Sequence, residues 1–242
     1  MFENLTFDGP YLVVELVADH GVSQVNLIDP EGSLYTQTSV ATGETRVKLR
    51  LLDIKPEGSD YEHYEPGSYT LVADTGNESF SRELELQPEL QIEEIAQYTD
   101  GTEPSDLGKL AVTVRNTGSG PTWVYEIVYE NAPNFGAHQD IGSSPGVIQL
   151  RHPTESSSLI IEPNGTQTFV SSSAALLFSD QENPECGGEY EFTLIIGQAL
   201  GEPLKQEIRA TVDGEVTSAG LTGEYTCSKV SVEILGGDGS NG

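Results

Sequence analysis

A short alternation of apolar and polar residues, interrupted every few positions by Gly, Pro, Asn or Asp, constrains the fold of this chain more than any other feature. It is seen as ELEL at residues 83–86 and as EYEF at residues 189–192. Period-2 alternation is typical of β-strands, whose successive side chains point to opposite faces of a sheet. No stretch keeps the 3.6-residue period of a helix over about ten residues. The sequence therefore predicts an all-β protein.

The spacing of the strand-like runs predicts two tandem immunoglobulin-like β-sandwich domains. Pro88 ends one ladder and a fresh alternating run begins at Leu90. We expect a first domain over 1–88 and a second over 89–235, which long loops or extra strands enlarge. The runs of the first domain lie near 11–16, 22–28, 33–38, 45–52, 67–73 and 79–86. In the second domain, an insertion covers 131–158, strand-like runs resume at 158–161, 166–172, 190–196, 204–212 and 225–235, and a flexible tail covers 236–242.

Two segments carry a resemblance to known modules. Residues 64–73 (YEPGSYTLVA) resemble the stretch that leads into a late strand of many extracellular immunoglobulin-like modules. That resemblance implies that Tyr69 closes a corner by hydrogen-bonding back to the chain. Residues 106–120 (DLGKLAVTVRNTGSG) are similar to the CARDB-like sandwiches of archaeal and bacterial surfaces, in which Asn116 and Gly118 would shape the turn after a strand. The whole layout resembles haloarchaeal hypothetical exported proteins, for which it implies no activity.

The charge of the chain indicates where such a protein works. Thirty-nine Asp and Glu residues face eleven Lys and Arg residues, a formal net charge of −28. Compaction brings these carboxylates together, and salt at about 1 M screens the repulsion. We therefore expect a protein of a salt-loving organism. We expect no nucleic-acid partner, because phosphate binding needs many clustered cations and the chain is strongly acidic. No apolar run is long enough to form a transmembrane segment.

The cysteines and the sequons favour export. Cys186 and Cys227 are the two cysteines of the chain, and we expect them to form one disulfide. Two separate buried thiols are the alternative. Zinc is poorly supported, since neither cysteine has a C-x₂-C partner. Asn4, Asn77 and Asn164 begin Asn-x-Ser/Thr triplets and are candidate glycosylation sites.

Motifs for catalysis are missing from the sequence. It contains neither H-E-x-x-H nor G-x-S-x-G, and carboxylate pairs are too frequent for spacing to single out an acid and a base. We predict that the protein is not an enzyme and has no cofactor.

Three segments hold candidate binding residues. Trp123 and Tyr125 alternate on one face of a strand, as an exposed platform or as part of a core. Phe135 and His138 lie in a long loop that is either a recognition loop or a connector. The acidic loop with Asp100, Glu103 and Asp106 is a weak Ca²⁺ or Mg²⁺ candidate, and we predict no metal there because acidic loops are common in this chain.

These observations predict a non-catalytic extracellular binding or structural module of a haloarchaeal cell envelope. Its partner would be an envelope protein or a glycan. A surface component of a haloarchaeal virus or membrane vesicle is one alternative, which the genome neighbourhood would separate, and an envelope-acting hydrolase is another. We expect an extracellular or cell-surface location, with the signal or lipid anchor outside the given sequence. The sequence leaves the ligand and the oligomeric state open.

Overall fold

The structure is built from antiparallel strands, and the prediction of an all-β fold is confirmed. The computed structural model describes residues 1–54, 62–101, 103, 106–134, 141, 148–179, 186–218 and 223–236. The strands are β1 Phe2–Asp8, β2 Tyr11–Leu16, β3 Gln24–Ile28, β4 Leu34–Ser39, β5 Arg46–Arg50, β6 Leu52–Asp53, β7 Glu62–His63, β8 Gly67–Asp74, β9 Ser79–Leu86, β10 Leu90–Gln97, β11 Leu110–Asn116, β12 Thr122–Glu130, β13 Leu150–His152, β14 Ile160–Ile161, β15 Thr166–Ser171, β16 Gly188–Gln198, β17 Leu204–Ser218 and β18 Tyr225–Ile234. The 3₁₀ turn Ser156–Leu159 lies between β13 and β14.

The first half of the chain forms a sandwich of two sheets with the strand orders β1-β2-β5 and β4-β3-β8-β9. Alternation along β5 buries Val47 and Leu49 against the core and leaves the residues between them exposed. Leu71 of β8 lies in the same core. A short antiparallel pair of β6 and β7 lies in the chain between β5 and β8.

Tyr69 closes a corner at the start of β8. Its hydroxyl donates a hydrogen bond to the carbonyl of Glu65 (2.9 Å) and accepts one from the Glu65 amide (3.1 Å). The ring is 1 % exposed. The corner that the resemblance implied for Tyr69 is therefore confirmed.

The second half forms a sandwich with the strand orders β10-β11-β15-β13 and β14-β12-β16-β17-β18. Eight of the nine residues of β12 are buried, so this strand lies at the centre of the half. The insertion 131–158 contributes β13 to the first of these sheets. Gln149 also donates its amide to the Tyr125 carbonyl (2.9 Å), and Ser171 Oγ donates to the Ile127 carbonyl (2.6 Å), so one edge of the sandwich is closed.

Asn116 organises the turn after β11, in the structural role that the CARDB-like resemblance implied. The residue is fully buried. Its Oδ1 accepts hydrogen bonds from the amides of Glu89 (3.1 Å) and Gly118 (3.0 Å). Its Nδ2 donates to the carbonyls of Gly120 (2.8 Å) and Ile161 (3.0 Å). All four hydrogen-bonding positions of this amide are thus used: they hold the turn after β11, and one of them ties it to Glu89 beside Pro88.

The two halves pack against each other beside Pro88. Among the described residues, each sheet lies wholly within residues 2–86 or within 90–234. Across this junction the Tyr64 hydroxyl donates to the Pro121 carbonyl (2.7 Å), and the His63 ring lies edge-on to the buried Trp123 ring, 5.9 Å between centroids. Independent folding of the two halves stays a prediction.

The disulfide between Cys186 and Cys227 is confirmed. It joins the segment before β16 to β18, with 5.6 Å between the Cα atoms. Cys227 is fully buried and pairs in register with Val216 of β17. The link therefore ties the turn end of the long β17–β18 hairpin, where residues 213–218 are exposed, to the segment before β16.

Candidate functional site

A groove of about 580 Å³ lies on the outer face of the β10-β11-β15-β13 sheet. Its floor is made by the small apolar side chains of Ala111 on β11 and Val170 on β15. They are neighbours because Ala111 pairs with Val170, which in turn pairs with His152 of β13. The volume lies in the usual range for small-ligand sites. The lining residues are Tyr98, Asp100, Gly101, Asp106, Ala111, Arg151, His152, Thr168 and Val170.

Aromatic and polar groups form the walls of the groove. The rings of Tyr98 and His152 lie 5.6 Å apart at an angle of 52°. The Thr168 hydroxyl is 2.9 Å from that of Thr113 on the neighbouring strand. Asp100 is exposed at the other side. The groove therefore offers ring faces together with hydroxyl, carboxylate and guanidinium groups.

An ion cluster around Asp106 holds one end of the groove. Asp106 accepts hydrogen bonds from Arg151 Nε (2.8 Å) and Nη2 (3.2 Å), and Lys109 Nζ lies 3.6 Å from its Oδ1. Asp106 and Lys109 are each 4 % exposed. Gly101 is required beside them, because a Cβ at that position would collide with the Asp106 side chain.

The charges of this cluster are fixed by their neighbours. The hydrogen bond from Arg151 is the main cause that lowers the pKa of Asp106, although burial acts in the opposite direction. Burial is the main cause that lowers the pKa of Lys109, against the attraction of Asp106. The arrangement connects β13 to the loop that follows β10, and it fixes the Arg151 guanidinium at the groove.

The acidic loop considered as a weak metal candidate is used differently. Asp106 is surrounded by two cations, and Glu103 lies 3.9 Å from Arg151 Nη2. Asp100 lines the groove. Within the described residues, no group of three or more His, Cys, Asp or Glu side chains is placed to hold a metal ion.

The aromatic stripe of β12 lies in the core and forms no surface platform. Trp123 is fully buried and Tyr125 is 3 % exposed. Their rings contact each other edge-on at 5.9 Å, and a Cβ on Gly197 would collide with the Tyr125 ring. Because eight of the nine residues of β12 are buried, both rings are enclosed by neighbours, and neither presents a face to a ligand. The other two candidates, Phe135 and His138, lie outside the described residues.

All three sequon asparagines are exposed. Asn4 lies on β1, Asn77 in the turn between β8 and β9, and Asn164 in the turn before β15. Asn164 adopts a positive φ of 63°. Glycosylation at these positions stays a prediction.

A second groove of about 580 Å³ lies at one end of the first sandwich, between loops 18–23 and 40–45. Most of its lining side chains are small. His20 accepts a hydrogen bond at Nδ1 from the Val22 amide (2.7 Å), and its Nε2 donates to the Glu44 carbonyl (2.9 Å). Because both ring nitrogens hold the loops together, this groove offers fewer groups to a ligand than the groove on the second sandwich.

Sequence motifs do not single out Tyr98, Arg151 or Thr168. The three residues come from separate segments, which only the strand order brings together. One signal was available in the sequence: Arg151 and His152 stand side by side in a chain that has only eleven Lys and Arg residues. In a chain with so few cations, a cation next to an aromatic residue indicates a position with a structural or binding role.

Comparisons with known proteins give little. No protein-family model and no curated protein matches the chain. A crystal structure of a mutant Salmonella alpha-2-macroglobulin is similar at 14 % identity and a TM-score of 0.22. The match covers 86 % of this chain and 14 % of that one. A similarity this weak carries no argument about fold or activity, so the site is interpreted from its own geometry.

Proposed function

We propose that the protein is a non-catalytic extracellular module of a haloarchaeal cell envelope and that it binds a glycan in the groove of the second sandwich. The observation that carries this proposal is the combination of the Tyr98–His152 ring pair with polar groups around an apolar floor. Sugars present apolar C–H faces and many hydroxyl groups. A groove with ring faces, hydroxyls and fixed charges matches both features.

The groove favours binding over hydrolysis. Glycoside hydrolysis generally needs a pair of carboxyl groups, one of which stays protonated to act as the acid. Asp106 has a lowered pKa and is held by Arg151 and Lys109, so it is unsuited to that role. Asp100 is then the remaining carboxylate among the described lining residues. One carboxylate can hold a hydroxyl group but does not form the catalytic pair.

Two further features support the envelope location. The Cys186–Cys227 disulfide is compatible with an oxidising compartment, and the sequon asparagines are accessible. No helix within the described ranges has the length and hydropathy needed to cross a membrane.

Binding can be tested with a glycan array and calorimetry on the best ligand, in about 2 M NaCl to screen the acidic surface. We expect Tyr98→Ala to weaken binding about tenfold, because one stacking face is lost. Tyr190→Ala is the matched control, since Tyr190 also pairs with one aromatic ring, Phe178, at 5.2 Å on another sheet. Equal losses in both variants, or a ligand that is cleaved during the assay, would contradict the proposal.

Adaptation to salt has its own test. If carboxylate repulsion opposes folding, the melting temperature should rise as NaCl increases from about 0.1 M to about 2 M, with most of the rise below about 1 M. Equal ionic strengths of NaCl and KCl should act alike. A melting temperature that is indifferent to monovalent salt would remove the support for a salt-loving source and leave the groove proposal standing.

A further inference from the structure

We propose a second binding site, for a linear acidic polysaccharide, on the outer face of the β1-β2-β5 sheet in the first sandwich. This surface is called the basic face below. Its cations are Arg46, Lys48 and Arg50, which are three of the eleven Lys and Arg residues of the whole chain and lie within five positions of one strand. The site is separate from the groove and does not depend on the function proposed for it.

The strand register arranges the basic face in three rows. Alternation puts the three cations on the outer side of β5, while Val47 and Leu49 point into the core. Successive cations on one side of a strand lie about 7 Å apart, since each residue advances the strand by about 3.3 Å. Across the sheet the rows are Asn4–Glu15–Arg46, Thr6–Val13–Lys48 and Asp8–Tyr11–Arg50.

The cations of the basic face are only weakly held by the protein itself. Lys48 Nζ lies 2.5 Å from Asp8, and Arg50 Nη1 lies 3.3 Å from Asp53. The side chains of Lys48 and Arg50 are about half exposed, so these pairs add little stability and can exchange partners. Arg46 forms no salt bridge in the part of the chain that the structure describes. The face therefore has donors free for an external anion, unlike the cations around Asp106.

Tyr11 explains why the ligand would be recognised by its charges. Lys48 Nζ lies 5.4 Å and the Arg50 guanidinium carbon 5.7 Å from the centroid of the Tyr11 ring. A ring already covered by cations is not available to stack on a nucleobase. Arg50 Nη2 also donates to the Tyr11 hydroxyl (3.3 Å), which orients the guanidinium along the sheet. The geometry therefore favours a polymer of carboxylate or sulfate groups over a nucleic acid.

The length of the row favours a polymer over a second copy of this chain. A straight row of three cations fits anionic groups that repeat along one extended molecule. In a symmetric dimer built on this face, the cation row of one copy would meet the cation row of the other, so like charges would face each other. In concentrated salt the long-range repulsion of a polysaccharide is screened, and direct charge-assisted hydrogen bonds to Arg and Lys remain.

Titration calorimetry with dextran sulfate and polygalacturonate tests the site, with uncharged dextran as the neutral polymer. The protein is produced without N-glycosylation, so that no glycan on Asn4 covers the first row. The variant Arg46→Gln/Lys48→Gln/Arg50→Gln should weaken binding of the charged polymer about tenfold or more at about 2 M NaCl, because three charge-assisted contacts are lost. The matched control is Arg82→Gln/Arg115→Gln/Lys205→Gln, which removes two Arg and one Lys from exposed strands elsewhere. Both variants make the net charge more negative by the same amount.

The outcomes separate the alternatives. The site is supported if dextran sulfate, polygalacturonate or both bind and the control variant keeps that binding. The polymer that binds then shows which anionic group the site takes. The site is overturned if uncharged dextran binds equally well, if the control variant loses as much affinity, or if neither charged polymer binds. Tighter binding of oligo(dT) would replace the polysaccharide by nucleic acid, and a dimer that the triple variant abolishes would replace it by a second copy. If the triple variant fails to fold, Arg46→Gln gives the same comparison with a residue outside any described salt bridge. Tyr98→Ala should leave this binding unchanged.

Discussion

Two groups of cations, one in each half of the molecule, are placed in opposite ways. In the second half, Lys109 and Arg151 converge on the buried Asp106, and both cations are held by that carboxylate. In the first half, the cations of the basic face are displayed on the outside of a sheet. Charges of the same kind thus hold a loop in one half and remain available to a partner in the other. The difference shows that placement, more than the number of cations, indicates what they do in an acidic chain.

The second half is also cross-linked, and breaking that link should give the largest effect. Reduction of Cys186–Cys227, or the variant Cys186→Ala/Cys227→Ala, should lower the free energy of unfolding by about 4 kcal/mol, the chain-entropy value for a loop of this length. Denaturant unfolding with and without reductant measures the change. If the halves unfold separately, only one of two transitions should move. A single transition that moves as a whole would mean that the halves form one cooperative unit.

Removal of the anion at the centre of the buried cluster should have the next largest effect. Asp106→Asn leaves Lys109, which is 4 % exposed, without its counterion. We expect a loss of about 3 kcal/mol, at the lower end for a broken buried pair, since Arg151 is partly exposed. Thermal unfolding at neutral pH checks this. A variant as stable as the natural protein would mean that the cluster is solvated, and the contrast with the basic face would disappear.

Much of the fold could be predicted from the sequence because alternation and turn residues act locally. The run predicted near 67–73 is β8, and the runs near 11–16 and 79–86 are β2 and β9. The Tyr69 corner and the Asn116 turn could be predicted because each depends on a short sequence motif. The strand β1 was missed: its pattern is interrupted by a register shift between Phe2 and Asn4, so the alternation is imperfect.

The groove could not be predicted, because it depends on which strands are neighbours. Tyr98 and His152 are far apart in sequence and meet only because β13, a short strand with an irregular register, pairs with β15. Trp123 and Tyr125 illustrate the opposite difficulty. Alternation correctly puts them on one strand, but it does not say whether that strand is central, and the burial of β12 decides their role.

A buried anion without a cation gives a smaller effect and a pH dependence. Glu126 of β12 is 6 % exposed, and no hydrogen bond or ion pair to its carboxylate is found among the described residues. Burial raises its pKa above the ordinary value of 4.5. The native state then binds a proton more readily than the unfolded state, so stability falls as pH rises through the native pKa.

Glu126→Gln removes this penalty. We expect the variant to be more stable than the natural protein by about 1 kcal/mol at neutral pH, since an amide is less costly to bury than a carboxylate. The difference should vanish below about pH 4.5, where the glutamate is protonated in both states. Melting temperatures across this range test the sign. A variant less stable at neutral pH would show that the carboxylate has a stabilising partner.

The smallest effect on stability is expected at the basic face. Lys48 is the main cause that lowers the pKa of Asp8, through a hydrogen bond, yet both side chains are about half exposed. A lowered pKa means that the pair stabilises the fold above the ordinary pKa of Asp and that this contribution is lost as pH falls through the native value. Solvent and salt screen the pair, so Asp8→Asn should leave the melting temperature unchanged in about 2 M NaCl. The same variant frees Lys48 from its internal partner and should therefore tighten the binding of a charged polysaccharide. A clear loss of stability would instead show that the cations of this face, like those around Asp106, are needed to hold the fold.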